Sequence, residues 1–419
     1  MKAEGLIRPA EVTIFMTSNI SDIVGRNIGV IGFNARPIAA SLKQLGAKTF
    51  VSDYWGDLDL KESSHDCIAI LAPKPGIRQR KPLEMPLHQA LVENYLHLTK
   101  EIDIDFVVIG SGFDDYSESL KPIEESGKLI GNSIETIKRA RDHTIIDRIS
   151  SKLKLKRPKE CVINEISQIS ECVEELAFPC LIRPMHSGGG LGIRFIHSNA
   201  DISKVSRIVE KRGEMKIQQY ISGMDTSTSV LSSTNDAFCI TVQGQLIGMP
   251  SAGSNCGFKY CGNYYPTSLD ESVRNRIARI SESLIKELHL IGSNGLDFIV
   301  DNSNNIYLLE VNPRIQGTLE MIERASGSSL TQLHLQAISG DIRQSPLSIR
   351  PAVKMIVYSR KRGSVPNLKQ FPNTFDRSPE GVLVEKGDPI CTIIEVEDTL
   401  QKAFSTVCIA ALNIQNLVQ

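Results

Sequence analysis

Four short apolar runs near the start of the chain, separated by stretches of helical pattern, leave few folds open to it. They are NIGVIGF (27–33), KTFVSD (48–53), CIAILA (67–72) and IDFVVIGSG (104–112). ARPIAASLKQLG follows the first run and ends on Gly46, a candidate helix C-cap. LHQALVENYLHLTKEI and the segment after Asp115 supply further helical pattern. Strands that alternate with helices pair in parallel, and the helices cover both faces of the sheet. Ligands of such sheets bind beyond the carboxyl ends of the strands.

From about residue 131 the rhythm changes. IETIKRARDHTIIDRISSKL is charged and helical, and AFPCLIRPMHSGGGLGIRFIHS reads as strand, glycine loop, strand. KIQQYISGMDTSTSVLSS continues with short β-type runs, and a long helix spans about 270–289. GSNGLDFIVDNSNNIYLLEVNPR then reads as a hairpin of two buried strands turned at Asn-Ser-Asn-Asn. AVKMIVYS, GVLVEKGDPICTIIEVED and STVCIAAL suggest a small β/α lobe at the end, and no internal repeat is visible.

Composition narrows the class. The 419 residues imply two to four domains at roughly 100–200 residues each. With 41% hydrophobic and 23% charged residues the chain is of ordinary globular make-up, not disordered or fibrous. Lys plus Arg number 47 against 48 Asp plus Glu, which offers no basic face for nucleic acid or a membrane surface. No apolar run reaches the roughly 18 residues of a membrane span, and the first 20 residues lack a secretory apolar region. Nine cysteines without CxxC pairs fit reduced thiols and a cytoplasmic location.

Two constellations could carry chemistry. SGGGLG (187–192) can fold its backbone amides over a phosphate chain, or can be a flexible turn; it is not a Walker A loop, because no Lys-Ser/Thr follows. Asp297, Glu310 and Asn312 lie on the two strands of the hairpin, with Glu310 and Asn312 on one face at period two. Two carboxylates and an amide oxygen suit a hard cation such as Mg²⁺ bound with nucleotide phosphates. An exposed strand face is the rival reading. Arg314 follows at once; it could clamp a carboxylate or acyl phosphate, or pair with Glu320 or Glu323 on the next helix.

Other positions are weaker. Asp53 lies 21 residues after Gly32, but GVIGFNARP lacks GxGxxG, which argues against NAD. Asn34 and Arg36 could line a ligand crevice, with a helix N-cap as the plainer role for Asn34. Cys256 and Cys261 lack further ligands for zinc, and Trp55 suits packing better than stacking.

The ordered set SGGGLG, QQYISGMD and GLDFIVD…YLLEVNPRIQGT resembles the ATP-grasp superfamily, with NPRIQGT closest to its biotin carboxylase and carbamoyl phosphate synthetase side. GFNARPIAASLKQLG and SDYWGDLDL resemble an archaeal group of predicted ATP-dependent carboligases related to biotin carboxylase. The resemblance covers about residues 27–340.

The resemblance implies ATP and Mg²⁺ (or Mn²⁺) as cofactors and assigns roles to particular residues. Gln218 stands where the family usually has a Glu that accepts from the adenine amino group, and Gln219, Tyr220 and Ile221 form the hinge that reads the base edge. Asp225 takes the ribose position, and Ser187, Gly188, Gly189 and Gly190 cover the phosphates. Asp297, Glu310 and Asn312 match the metal ligands, Arg314 steadies the acyl phosphate, and Lys259 would face the substrate. Two positions depart from the pattern: His143 and Arg183 stand where the family has lysines. Arg keeps the charge, whereas His keeps it only when protonated.

The expected architecture is α/β: an ATP-grasp fold with a Rossmann-like domain (1–130), a lid and nucleotide-binding subdomain (131–225), a core with the metal site (226–345) and a C-terminal lobe (346–419). The expected activity is ADP-forming ligation of a small-molecule carboxylate to an amine through an acyl phosphate. Carboxylation through carboxyphosphate and nucleotide sensing without catalysis are the alternatives. A homodimer is compatible with this reading; nucleic acid and membrane partners are not.

Overall fold

The computed structural model describes residues 20, 22–80, 82–186, 188–254, 256–342 and 346–419. The stretch read above as lacking a secretory region lies almost wholly outside them. Three sheets organise the chain, and the first is the parallel one that the apolar runs imply. Its strands are β1 (Asn27–Gly32), β2 (Lys48–Asp53), β3 (Asp66–Ala69) and β4 (Phe106–Ile109), in the order β3-β2-β1-β4. Alternation sorts their side chains. Ile28 and Val30 pack with Ile38, Ala39 and Leu42 of helix 36–44, whereas Ile31, Val107 and Ile109 meet Leu91, Val92 and Tyr95 of helix 87–98. Burying one such leucine or isoleucine contributes about 1.5–3 kcal/mol. Gly29 is required between these layers, since a β-carbon there would come 2.7 Å from the Tyr95 ring.

The second sheet is antiparallel: β5 (Glu160–Ile163), β6 (Cys180–Pro184), β7 (Arg194–Ile196) and β8 (Met215–Gln219), ordered β5-β8-β6-β7. One face packs Ile163, Cys180, Ile182, Met215 and Ile217 against helices 168–176 and 202–212. Period two then puts Glu160, Arg183, Lys216 and Gln218 on the opposite face.

The third sheet has eight strands. β9 (Gly223–Ser232), β10 (Ala237–Ile247), β11 (Tyr260–Tyr265), β12 (Gly292–Asp301), β13 (Ile306–Asn312), β14 (Ala352–Tyr358), β16 (Thr374–Phe375) and β18 (Pro389–Val396) run β13-β12-β9-β10-β11-β14-β18-β16. A two-stranded ribbon, β15 (Gly363–Ser364) with β17 (Leu383–Val384), stands apart. The terminal strands thus extend the core sheet instead of forming a sheet of their own, because β14 pairs directly with β11. A boundary at residue 225 would cut β9. The charged segment 134–153 is also two helices, 134–141 and 143–152. Asp142 leaves the helical conformation, and its carboxylate accepts from the amides of Thr144 and Ile145. All nine cysteines are free thiols. No helix among the described residues is long and apolar enough to cross a membrane.

Candidate active site

A cavity of about 900 Å³ opens where the three sheets meet. The parallel-sheet domain contributes His88, Gln89 and the loop Asp114–Ser119; the helix pair contributes Arg141 and His143. The polar face of the second sheet contributes Glu160, Arg183, Lys216 and Gln218, and β13 contributes Leu308 to Val311.

Register explains the polar face. Glu160 lies directly across from Gln218, and Lys216 from Arg183, so four polar side chains form one patch. Lys216 Nζ donates to Glu160 Oε1 at 3.0 Å and to His143 Nε2 at 2.8 Å, and Gln218 Nε2 donates to Glu160 Oε2 at 3.1 Å. Burial alone would raise the Glu160 carboxyl; the Lys216 ammonium holds it below its usual range. Burial, and then Lys216, hold His143 below the usual imidazole value, so it stands neutral near neutrality. The cation absent from position 143, at the start of a helix, is therefore present beside it on strand β8, as Lys216. Arg183 Nε is buried with no hydrogen-bond partner, the condition of a group that fits an anion.

The hairpin β12–β13 supplies the acidic wall. Asp297 and Glu310 face each other across the ladder, and Gly295 faces Asn312. Asp297 accepts from Gln245 Nε2 at 2.9 Å and from Asn312 Nδ2 at 3.1 Å. Burial, reinforced by the charge of Glu310, pushes the Asp297 carboxyl up to about 7. Two carboxylates in repulsion beside an amide are a donor set that a hard dication relieves, and in this sense the residues fit Mg²⁺. Among the described residues no group of three or more His, Cys, Asp or Glu side chains forms a metal site; the third donor here is an amide. Arg141 spans the wall, donating to Asp115 at 2.8 Å and to Glu310 at 2.6 Å.

Arg314 pairs with neither Glu320 nor Glu323. Its Nε donates to both oxygens of Asp114 at 3.0 Å, and its Nη2 reaches Asn312 Oδ1 at 3.2 Å. Asp114 lies in the loop after β4, so the carboxyl edge of the parallel sheet does meet the site, through residues that the sequence reading did not single out. Arg36 has a different part: it is buried among Glu320, Asp376 and Asp59. Asn34 is not a cap; the helix starts from Ala35, whose amide donates to Asp53.

Lys259 is not brought to the carboxylates. Its ammonium donates to the Gly387 carbonyl and lies 3.6 Å from the Tyr358 ring centroid, on the side of the terminal lobe. Its neighbour Tyr260 instead feels the charge of Asp297. The hinge residues Gln219, Tyr220 and Ile221 follow Gln218 without lining the cavity wall, and the Tyr220 ring packs edge-on to Phe195. Asp225, on β9, is pushed up to about 6 by burial. Gly188, Gly189 and Gly190 form a turn seated on residues 258–260, with the Tyr260 amide donating to the Gly189 carbonyl. Ser187 lies outside the described residues.

This architecture is the ATP-grasp fold, and the family described as ATP-grasp domain matches residues 145–318. Along the sequence, the chain is 26% identical over 406 residues to an uncharacterised protein of Methanocaldococcus jannaschii, covering 92% of each. It is 24% identical over 264 residues to the arginine-specific carbamoyl phosphate synthase large chain of Bacillus subtilis, covering 62% of this chain and 25% of that one. Among solved structures, the ADP complex of N5-carboxyaminoimidazole ribonucleotide synthetase superposes with a TM-score of 0.71 at 14% identity. That match covers 94% of this chain and 98% of the other.

Proposed function

We propose that the protein is an ATP-dependent ligase that joins a small-molecule carboxylate to an amine and releases ADP and phosphate. The observation that carries this reading is the facing of two surfaces across one cavity: the Arg183–Lys216 patch of the lid sheet and Glu310 of the hairpin, with Asp297 directly across the ladder from Glu310. A triphosphate needs cations along one side, and its coordinated cation needs carboxylates on the other. In this reading Arg183 and Lys216 hold phosphate oxygens, Gln218 reads the base, and Asp225 accepts from the ribose hydroxyls. Asp297, Glu310 and Asn312 would hold Mg²⁺, which supplies charge neutralisation between the β- and γ-phosphates. Arg314, oriented by Asp114, receives the substrate carboxylate. A carboxylate oxygen attacks the γ-phosphorus as the bond to the β-phosphate oxygen breaks, giving ADP and an acyl phosphate. The amine then attacks the acyl carbon and phosphate leaves.

The match to a synthetase named for a carboxyamino product favours a second reading, in which bicarbonate is the carboxylate and carboxyphosphate the intermediate. Both are tested by one screen of ADP release across a panel of carboxylates, bicarbonate included, each with an amine mixture. The expected result is turnover with some pair that falls at least about 100-fold in Glu310→Gln. ATP binding without ADP release in any mixture would favour a nucleotide sensor instead.

A further inference from the structure

A glutamine side chain can offer a ligand either of its ends. The carbonyl oxygen accepts, the amide nitrogen donates, and a half-turn about the last bond exchanges them. Gln218 is not free to make that turn. Glu160, directly across the ladder, takes its Nε2 at 3.1 Å, and an ionised carboxylate can only accept. Glu160 is itself kept ionised and in place by Lys216, whose ammonium donates to the other carboxylate oxygen at 3.0 Å. With Nε2 engaged, Oε1 is the end left for a ligand, and no donor among the described residues bonds to it.

The consequence concerns base choice. At the corresponding ring position adenine carries an amino group, a donor, and guanine a carbonyl oxygen, an acceptor. An amide held with its oxygen outward pairs with the first and repels the second. We propose, resting on the ATP reading above, that Glu160 is a positioning residue that selects adenine over guanine nucleotides by fixing the Gln218 amide through the Glu160–Lys216 pair. Glu160 does not touch the base; it acts through Gln218. The carboxylate that the family usually has at position 218 is displaced one strand over.

Replacement by the isosteric amide gives a specific outcome. In Glu160→Gln the Lys216 ammonium claims the new carbonyl oxygen, which turns the new amide nitrogen toward Gln218. Gln218 then presents its oxygen to residue 160 and its nitrogen to the cavity, a donor that suits guanine. Adding Gln218→Glu restores an acceptor on both sides of that residue.

The test is calorimetric titration of the full-length chain with MgATP and MgGTP. Wild type is expected to prefer ATP. The ratio of affinities should fall at least about tenfold in Glu160→Gln and return in Glu160→Gln/Gln218→Glu. Glu160→Ala, which leaves the amide free to turn, should also compress the ratio and serves where the first variant does not fold. A ratio unchanged in these single variants, or a loss falling equally on both nucleotides, overturns the proposal. Wild type that binds neither nucleotide overturns the ATP reading itself, and with it this role for Glu160.

Discussion

Lys216 and His143 divide between them what one lysine does in the sequence pattern. Lys216 is 5% exposed, lines the cavity and touches the imidazole at 2.8 Å through its ammonium, while the imidazole is held neutral by burial and by that ammonium. In the proposed ATP site, the positive charge offered to a phosphate therefore rests with Lys216 and Arg183 and not with His143. Charge-assisted hydrogen bonds are about twice as strong as neutral ones, so removing the cation should matter and removing the ring should not. Lys216→Gln is expected to weaken ATP binding at pH 7.5 about tenfold, and His143→Gln less than about threefold. Calorimetry on both variants checks this; the reverse ranking would return the phosphate contact to His143.

At the level of elements, the glycine loop and the hairpin set the geometry. Gly190 has φ +72°, and a β-carbon there would fall 1.7 Å from the Phe258 carbonyl oxygen. Gly190→Ala should unseat the loop from residues 258–260 and speed amide exchange across 188–192 in the ligand-free chain. Exchange rates equal to wild type would mean that the seat does not hold the loop. Helix 330–338 carries a different prediction. His334 Nδ1 accepts from the Ser293 amide at 2.8 Å, and burial pushes its pKa down from 6.5 to about 4. Because the folded value lies below the unfolded one, its contribution is complete above about 6.5 and is lost as pH falls toward about 4, up to about 3 kcal/mol. His334→Asn keeps the acceptor and removes the titration, so its Tm should fall less between pH 7 and pH 4 than that of wild type.

Much of this was legible in the sequence for local reasons. Short apolar runs set between helical stretches located all four parallel strands, and the Asn-rich turn marked the hairpin on which Asp297, Glu310 and Asn312 lie. What was not legible depends on register between distant segments. Glu160 and Lys216 are unremarkable in ECVI and MKIQQ until β5 and β8 pair and bring them together. Asp114 and Asp115 gain a role only because β4 ends beside the hairpin, opposite Arg314 and Arg141. Lys259 was misplaced for the same reason: a one-residue difference in alternation turns it toward the terminal lobe, where Tyr260 turns toward Asp297.

Across the whole molecule, the units are joined by a buried ionic knot. Arg36, on the parallel-sheet domain, is 2% exposed and pairs with Glu320 of helix 319–326, with Asp376 beside β16 and with Asp59. Removing one partner of a buried cluster strands the others, so Arg36→Met should cost about 3–5 kcal/mol in denaturant unfolding. A loss below about 1 kcal/mol would show that the domains are held by apolar packing alone. This knot fixes the parallel-sheet domain, and with it Asp114 and Asp115, against the hairpin that carries the carboxylates. The central claim is that the assembled site passes the γ-phosphate to a carboxylate. The most direct measurement is incubation of an active substrate pair with MgATP and ¹⁸O-labelled carboxylate, followed by analysis of the nucleotide and the phosphate. ADP, together with phosphate carrying one labelled oxygen, is the expected result; AMP with pyrophosphate, or phosphate without label, would contradict it.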